Sequence, residues 1–88
     1  MGDMYKVLYT KRAQKALRKV PKHIGLRIRE RLERIAADPY SSDVNVTKLQ
    51  NRPGYRLRVG DWRVIYEIEN EQLVVLVLRI GSRGEVFR

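Results

Sequence analysis

The sequence contains no cysteine, one histidine and one tryptophan in 88 residues. The absence of cysteine excludes a disulfide framework, thiolate chemistry and a zinc–thiolate site. No apolar run approaches the roughly 20 residues that a membrane-spanning helix needs. The opening segment, MGDMYKVLYT, also lacks the apolar core of a signal peptide. We therefore expect a cytoplasmic protein.

Metal chemistry has little basis in the residues. The lone histidine, His23, stands at the start of an amphipathic helical pattern, where histidine is usually a surface residue rather than a ligand. Carboxylates and histidine do not occur together at metal-ligand spacing. We therefore expect no metal site and no cofactor.

Negative charge is scarce: the sequence has ten acidic and nineteen basic residues, which gives a net charge of +9. This balance favours an anionic partner, such as nucleic acid, an anionic membrane surface or an acidic protein. From Arg52 onward every basic residue is arginine, whose planar guanidinium matches phosphate oxygens. The length allows one hydrophobic core, so we predict a single domain over residues 1–88.

The segment 55–66, YRLRVGDWRVIY, has the pattern of a β-hairpin. Apolar residues alternate with arginine on both sides of Gly60-Asp61, which predicts two strands and a two-residue turn. Such a turn places Arg58 opposite Arg63, on the same face as Arg56. Like charges in this position are destabilising, so we infer that the arginines are there to bind an anion. The alternative is a solvated, partly paired sheet face.

The first half of the chain predicts a strand and two helices. Residues 5–9 form a short strand pattern, and Thr10 is a suitable N-cap for a first helix with a narrow apolar stripe. Pro21 fits the first turn of a second helix, which Asp38-Pro39 ends, because the residue before proline avoids the α region.

Residues 40–53 show little periodicity and predict a long loop. We expect Leu49 to reach the core and Lys48 to lie near the hairpin arginines. The apolar segment 73–80, LVVLVLRI, predicts an interior strand, and Arg79 joins the arginines if the next residue points into the core.

The order of elements, β-α-α-β-β-β, predicts an α+β two-layer fold with a mainly antiparallel sheet. Two helices would cover one sheet face and leave the other free. The tyrosines and the tryptophan of the hairpin would then pack toward the helices rather than stack on bases.

Three segments carry a resemblance to a known group: GYRLRVGDWRVIY (54–66), RIGSR (79–83) and EVFR (85–88). With the element order, they resemble the RelE/ParE superfamily of bacterial toxins over essentially the whole chain. The chain looks most like the RelE-like mRNA endonucleases of type II toxin–antitoxin systems. The resemblance implies a RelE-like microbial ribonuclease-type fold, an acidic antitoxin as partner, and action on mRNA in the ribosomal A site.

The resemblance also implies the reaction and its residues. On the helix-free face, a 2′-hydroxyl would attack the adjacent scissile phosphate without a metal ion. The implied catalytic residues are Arg56 and Arg58 for substrate contact and activation, Arg63 for phosphate binding, and Arg83 for transition-state stabilisation. The predicted RNA-binding residues are Lys48, Arg79 and Phe87.

Two positions depart from the family pattern. Phe87 stands where many relatives have tyrosine, and Ser82 where histidine is frequent, so proton transfer is weakened and the nuclease could be attenuated. Glu67 shares the face of Arg63 and could act as a base, although an ion pair is its more usual role. The alternative function is a ParE-like inhibitor of DNA gyrase without RNase activity; a non-toxic interaction domain is a third reading.

Overall fold

The structure is a computed structural model that describes residues 4–82 and 84, in which two helices pack on one face of a five-stranded sheet. The elements are β1 (Lys6–Tyr9), α1 (Lys11–Lys19), α2 (Lys22–Ala37), β2 (Val46–Lys48), β3 (Tyr55–Val59), β4 (Trp62–Glu69) and β5 (Val74–Ser82). The strand order across the sheet is β1-β5-β4-β3-β2. The pairing of β1 with β5 is parallel and the other pairings are antiparallel. The predicted α+β two-layer fold is confirmed, with a mixed sheet.

Each helix buries one apolar stripe against the sheet. Ala13 and Leu17 of α1 are buried, as are Ile28 and Leu32 of α2. The predicted cap of α1 is confirmed, because the Thr10 hydroxyl oxygen accepts a hydrogen bond from the backbone N–H of Ala13 at 3.1 Å. Within the described part of the chain, neither helix is long and apolar enough to span a membrane.

The boundaries of α2 follow its two prolines closely. Pro21 occupies the N-cap position, one residue before the first helical residue rather than within the first turn. At the other end, the backbone N–H of Asp38 donates to the carbonyl oxygens of Arg34 and Ile35. The helix stops there because Pro39 disfavours a helical conformation at the preceding residue.

The hairpin of β3 and β4 has the predicted register. Arg58 lies opposite Arg63, and Leu57 lies opposite Val64. The turn residue Gly60 has a φ of 59°, a left-handed conformation that glycine adopts without steric cost. The apolar side chains of the hairpin pack toward the helices; they are Tyr55, Leu57, Val59, Trp62, Val64 and Tyr66. The prediction that the aromatic residues belong to the core is therefore confirmed.

The prediction of a continuous loop over 40–53 is wrong at β2, which pairs antiparallel with β3 as an edge strand. With three residues, VTK, the strand is too short for alternation to reveal it. The backbone N–H of Arg58 extends this connection by donating to the carbonyl oxygen of Asn45 at 2.8 Å. The sheet thus has one more strand than the sequence indicated.

A β-bulge interrupts the pairing of β4 with β5. Ile65 lies opposite Arg79 but Tyr66 lies opposite Val77, which leaves Leu78 as the additional residue. The start of α1 holds this bulge: the backbone N–H of Thr10 donates to the Val77 carbonyl at 3.0 Å, and its hydroxyl donates to the Leu78 carbonyl at 3.2 Å. After the bulge, the side chains of β5 therefore face the opposite sides of the sheet from those that strict alternation would give.

Candidate nucleic-acid interface

Four arginines lie on the sheet face that the helices leave uncovered, and we call Arg56, Arg58, Arg63 and Arg79 the arginine face. Their order follows from strand register, in which one row across the sheet contains Arg58, Arg63 and Gly81. The neighbouring row contains Arg56, Ile65 and Arg79. Since adjacent strands are about 4.8 Å apart, the guanidinium groups can converge on one anion or on neighbouring anions.

Arg79 reaches this face through the bulge. Val77 and Ile80 both belong to the core beneath the helices, although strict alternation would place them on opposite faces. The additional residue at Leu78 removes this conflict and turns Arg79 to the sheet face opposite the helices. The expectation that Arg79 joins the hairpin arginines when Ile80 packs inward is confirmed.

The hairpin arginines are positioned by the backbone around them. The Nη1 group of Arg63 donates to the carbonyl oxygens of Gly60 and Trp62, each at 3.1 Å. Arg58 is exposed, and its Nη2 donates to the Asn45 side-chain oxygen at a long 3.4 Å. Arg63 is thus held over the turn, whereas Arg58 extends into solvent beside it. Pre-orientation of a guanidinium reduces the entropy lost when it binds a phosphate.

A small pocket adjoins the arginine face where residues 49–54 fold over the sheet. The turn is closed by the Leu49 N–H, which donates to the Gly54 carbonyl at 3.0 Å. The pocket has a volume of about 130 Å³. Its lining residues are Leu49, Arg52, Pro53, Ile65, Glu67, Leu78 and Arg79. Sequence reasoning missed this pocket, although the alternation that placed Glu67 with Arg63 indicated one of its walls.

Two expectations about the loop therefore need correction. Leu49 does not belong to the core beneath the helices; it lines the pocket on the opposite side of the sheet. Lys48 is exposed and pairs with Tyr55, so the register places it on the sheet face of Tyr55 rather than beside the arginines. Its predicted location is wrong, because β2 adds a pairing that fixes its orientation. A role for Lys48 in RNA binding stays a prediction.

Two predicted site residues, Arg83 and Phe87, lie outside the described residues, and their roles stay predictions. The last residue of β5 is Ser82, which lies opposite Trp62 and is half-buried. Among residues 4–82 and 84, no three histidine, cysteine, aspartate or glutamate side chains are grouped so that they could hold a metal ion.

The core beneath the hairpin contains a phenol with a shifted pKa. Tyr66 is 1% exposed, and its ring stacks on that of Tyr55 with 5.4 Å between the centroids. Burial raises the pKa of the Tyr66 hydroxyl above the ordinary 10.0, and Tyr55 and Asp43 raise the pKa further through charge repulsion. The neutral phenol therefore belongs to the packed core, not to the arginine face.

A second basic concavity lies beside α1. It has a volume of about 390 Å³ and is lined by residues of α1 and of the end of β5. Its basic lining comprises Arg12, Lys15, Lys19 and Arg79, and Trp62 contributes an apolar wall. Arg79 thus connects this concavity with the arginine face, and the two form a continuous basic surface.

Comparisons with known proteins agree with this arrangement. The family model for the ParE toxin of the type II toxin–antitoxin system parDE matches residues 7–87. A RelE-like toxin protein from Escherichia coli is 24% identical over 79 residues, which cover 90% of this chain and 83% of that protein. The RelE–RelB complex from Pyrococcus horikoshii OT3 has a TM-score of 0.79 and 31% identity, covering 96% of this chain and 100% of that chain. The intact E. coli RelBE toxin–antitoxin complex has a TM-score of 0.77 and 25% identity, covering 89% and 95%.

Proposed function

Since the chain belongs to the ParE toxin family, within the RelE/ParE superfamily, we propose that it is a ribosome-dependent mRNA endonuclease, active in the cytoplasm on mRNA in the ribosomal A site. The observation that carries the proposal is the arginine face. A fold selected for stability alone would not place Arg58 directly opposite Arg63. A polyanion bound across the sheet would convert this repulsion into attraction.

The proposed reaction is attack of a 2′-hydroxyl on the adjacent phosphorus. The 2′-hydroxyl gives up its proton to a base, a 2′,3′-cyclic phosphate forms, the bond to the 5′-oxygen breaks, and the 5′-oxygen takes up a proton. Negative charge accumulates on the equatorial phosphate oxygens in the transition state, and preorganised cations there supply the largest catalytic contribution in many enzymes. Arg63, held by two carbonyl oxygens, is suited to that position. Arg56 and Arg58 would contact the flanking phosphates.

The guanidinium groups supply a stabilisation that other nucleases obtain from metal ions, so the proposed reaction is metal-independent. Arg83 is the further cation that the family pattern assigns to the transition state. A base and an acid are still required, and the phenylalanine at position 87 provides neither, which predicts a slow enzyme.

We further propose an acidic antitoxin as the cognate partner. The similar structures from P. horikoshii and E. coli are toxin–antitoxin complexes with RelB. A net charge of +9 and the continuous basic surface from α1 to the arginine face favour an acidic partner here. Such a partner would inhibit the toxin by covering Arg58 and Arg79.

One observation favours a second function, inhibition of DNA gyrase. The family model that matches residues 7–87 is that of ParE toxins. A gyrase inhibitor would need a protein-binding surface but no cation at a scissile phosphate. The two functions therefore differ in whether the chain cleaves RNA and in whether its toxicity requires the guanidinium group of Arg63.

In vitro translation with primer extension separates these functions. Cleavage within ribosome-bound codons is the expected result, whereas gyrase-trapped DNA breaks without RNA cleavage would replace the proposal with the alternative.

Arg63→Ala, and likewise Arg83→Ala, should abolish growth arrest while circular dichroism remains that of the wild type. Arg27→Ala on the exposed side of α2 is the matched control, since it removes one guanidinium outside the interface. Equal toxicity of Arg63→Ala and wild type would refute the site assignment.

A further inference from the structure

We propose that the pocket beneath residues 49–54 is a nucleobase subsite that selects guanine through the Glu67 carboxylate. The inference rests on the proposed action on RNA, since it assigns a place for one base of the bound strand. It adds a determinant of base preference to a surface whose arginines are proposed to contact phosphates.

The first argument is continuity between the pocket and the arginine face. Arg79 lines the pocket and also belongs to the arginine face, in the row of Arg56 and Ile65. A strand whose phosphates lie on the arginines therefore has a base within reach of the pocket. Single-stranded RNA exposes its bases to such pockets because they are not held in a duplex.

The second argument is the apolar wall of the pocket. Ile65 is 3% exposed although it faces away from the helices, so the loop and the neighbouring side chains cover it. Leu49, Pro53 and Leu78 extend this apolar surface around the pocket. The two faces of a purine ring can pack against such walls, and ligand sites typically combine this lining with a few polar groups.

The third argument concerns Gly54, whose missing side chain shapes the pocket. A Cβ atom at this glycine would stand 3.3 Å from the Cγ of Glu67 and 3.3 Å from the Cδ1 of Leu49. The same atom would also lie 2.9 Å from the Tyr66 carbonyl oxygen. With glycine here, Glu67 and Leu49 approach each other across the backbone and form adjoining walls.

Glu67 supplies the selective contact. It is half-buried, and within residues 4–82 and 84 its carboxylate forms no hydrogen bond or ion pair. The ion pair expected from the sequence is therefore not formed there. The two carboxylate oxygens can accept two hydrogen bonds from adjacent donors.

Guanine is the base that provides those donors. Its Watson–Crick edge carries an N1–H group beside an exocyclic amino group, and both can donate to one carboxylate. Adenine and cytosine present one amino group beside an acceptor nitrogen, which would face the second carboxylate oxygen and be repelled. Arg52 and Arg79 line the same pocket, and their charges offset the repulsion between Glu67 and the RNA phosphates.

The test is the binding of 2′-O-methylated hexameric RNAs, which cannot undergo 2′-hydroxyl attack, measured by fluorescence anisotropy at fixed salt. One central position carries guanine, inosine or adenine in a uridine background. Inosine lacks only the exocyclic amino group of guanine. We expect wild type to bind the guanine hexamer about five- to tenfold more tightly than the other two, the range of a specific base contact.

Glu67→Gln should reduce this preference to within about twofold. Glu69→Gln is the matched control, because it makes the same charge change two residues further along β4 and lies outside the pocket lining. This control should retain the preference for guanine.

The experiment distinguishes a failure of the pocket assignment from a failure of the proposed RNA function. If the three hexamers bind equally, or Glu67→Gln keeps the preference, while Arg58→Gln weakens all binding, the pocket assignment is overturned and the proposed RNA function stands. If Arg58→Gln leaves binding unchanged, the RNA function is overturned as well. A loss of antitoxin binding in Glu67→Gln without any base preference would assign the pocket to the protein partner and overturn the inference.

Discussion

Because Arg58 lies directly opposite Arg63, we predict that replacing one of these arginines increases stability and weakens function. The two residues are direct cross-strand partners, and such pairs contribute about 0.2–1 kcal/mol according to their charges. Arg58→Gln removes the repulsion; the side-chain hydrogen bond that it forfeits among residues 4–82 and 84 is the exposed one of 3.4 Å to Asn45. We expect a gain of about 0.5 kcal/mol in the free energy of unfolding. For a domain of this size the midpoint of thermal unfolding should rise by about 2–4 °C.

The assay is thermal unfolding followed by circular dichroism at 0.1 M and 1 M sodium chloride. Because the screening length falls from about 10 Å to about 3 Å between these conditions, the gain should shrink at high salt. Arg27→Gln on α2 is the control: it lowers the net charge equally but has an exposed helical position without a cross-strand partner. The difference between the two variants isolates the local pair from the overall charge.

The same Arg58→Gln protein should bind RNA more weakly and arrest growth less than wild type. A lower midpoint than that of Arg27→Gln at 0.1 M salt would refute the view that the pair is repulsive. Increased stability with unchanged RNA binding would show that the repulsion serves another purpose. Either result would remove the main physical argument for an anion on this face.

Three further changes test the structure around the site. Gly54→Ala should destabilise by about 2 kcal/mol or more, because φ is 113° and the new Cβ would lie 2.9 Å from the Tyr66 carbonyl oxygen; urea unfolding measures this loss. Thr10→Ala should lower the free energy of unfolding by about 1 kcal/mol, since the hydroxyl both caps α1 and donates to the bulge at Leu78. The raised pKa of Tyr66 contributes stability that is fully present below pH 10.0, the pKa of the unfolded phenol, and is lost as the pH rises through the folded pKa. The free energy of unfolding of Tyr66→Phe should therefore fall less than that of the wild type between pH 8 and pH 11, as measured by urea unfolding at each pH.

Each of these changes has a matched comparison. Gly60→Ala also places alanine at a positive φ, 59°, but no atom of the described residues lies within 4 Å of the new Cβ. A loss equal to that of Gly54→Ala would contradict the proposed contact. Thr10→Ser keeps the hydroxyl and should restore most of the stability lost in Thr10→Ala. Tyr40→Phe alters an exposed tyrosine, and an equal change in its alkaline profile would contradict the assignment to Tyr66.

Local patterns were sufficient for most of the fold. Alternation and a two-residue turn defined the hairpin and its register, because side chains on a strand change face at every residue. The stripes of α1 and α2 and the cap at Thr10 follow from the helical period and from the hydrogen bonds that a helix start requires. The pairing of Arg58 with Arg63, and with it the argument for an anion, was present in the sequence alone.

The tertiary structure decided the remainder of the site, because those features depend on contacts between distant residues. Strand β2 is defined by its partner β3, not by its own three residues. The bulge that turns Arg79 to the free face is held by Thr10, 68 residues from Leu78. Likewise, the turn at residues 49–54 joins Glu67 to Leu49 only through the close approach at Gly54. Alternation determined which arginines share a strand face, whereas the bulge and the folded turn determined which further residues share their site.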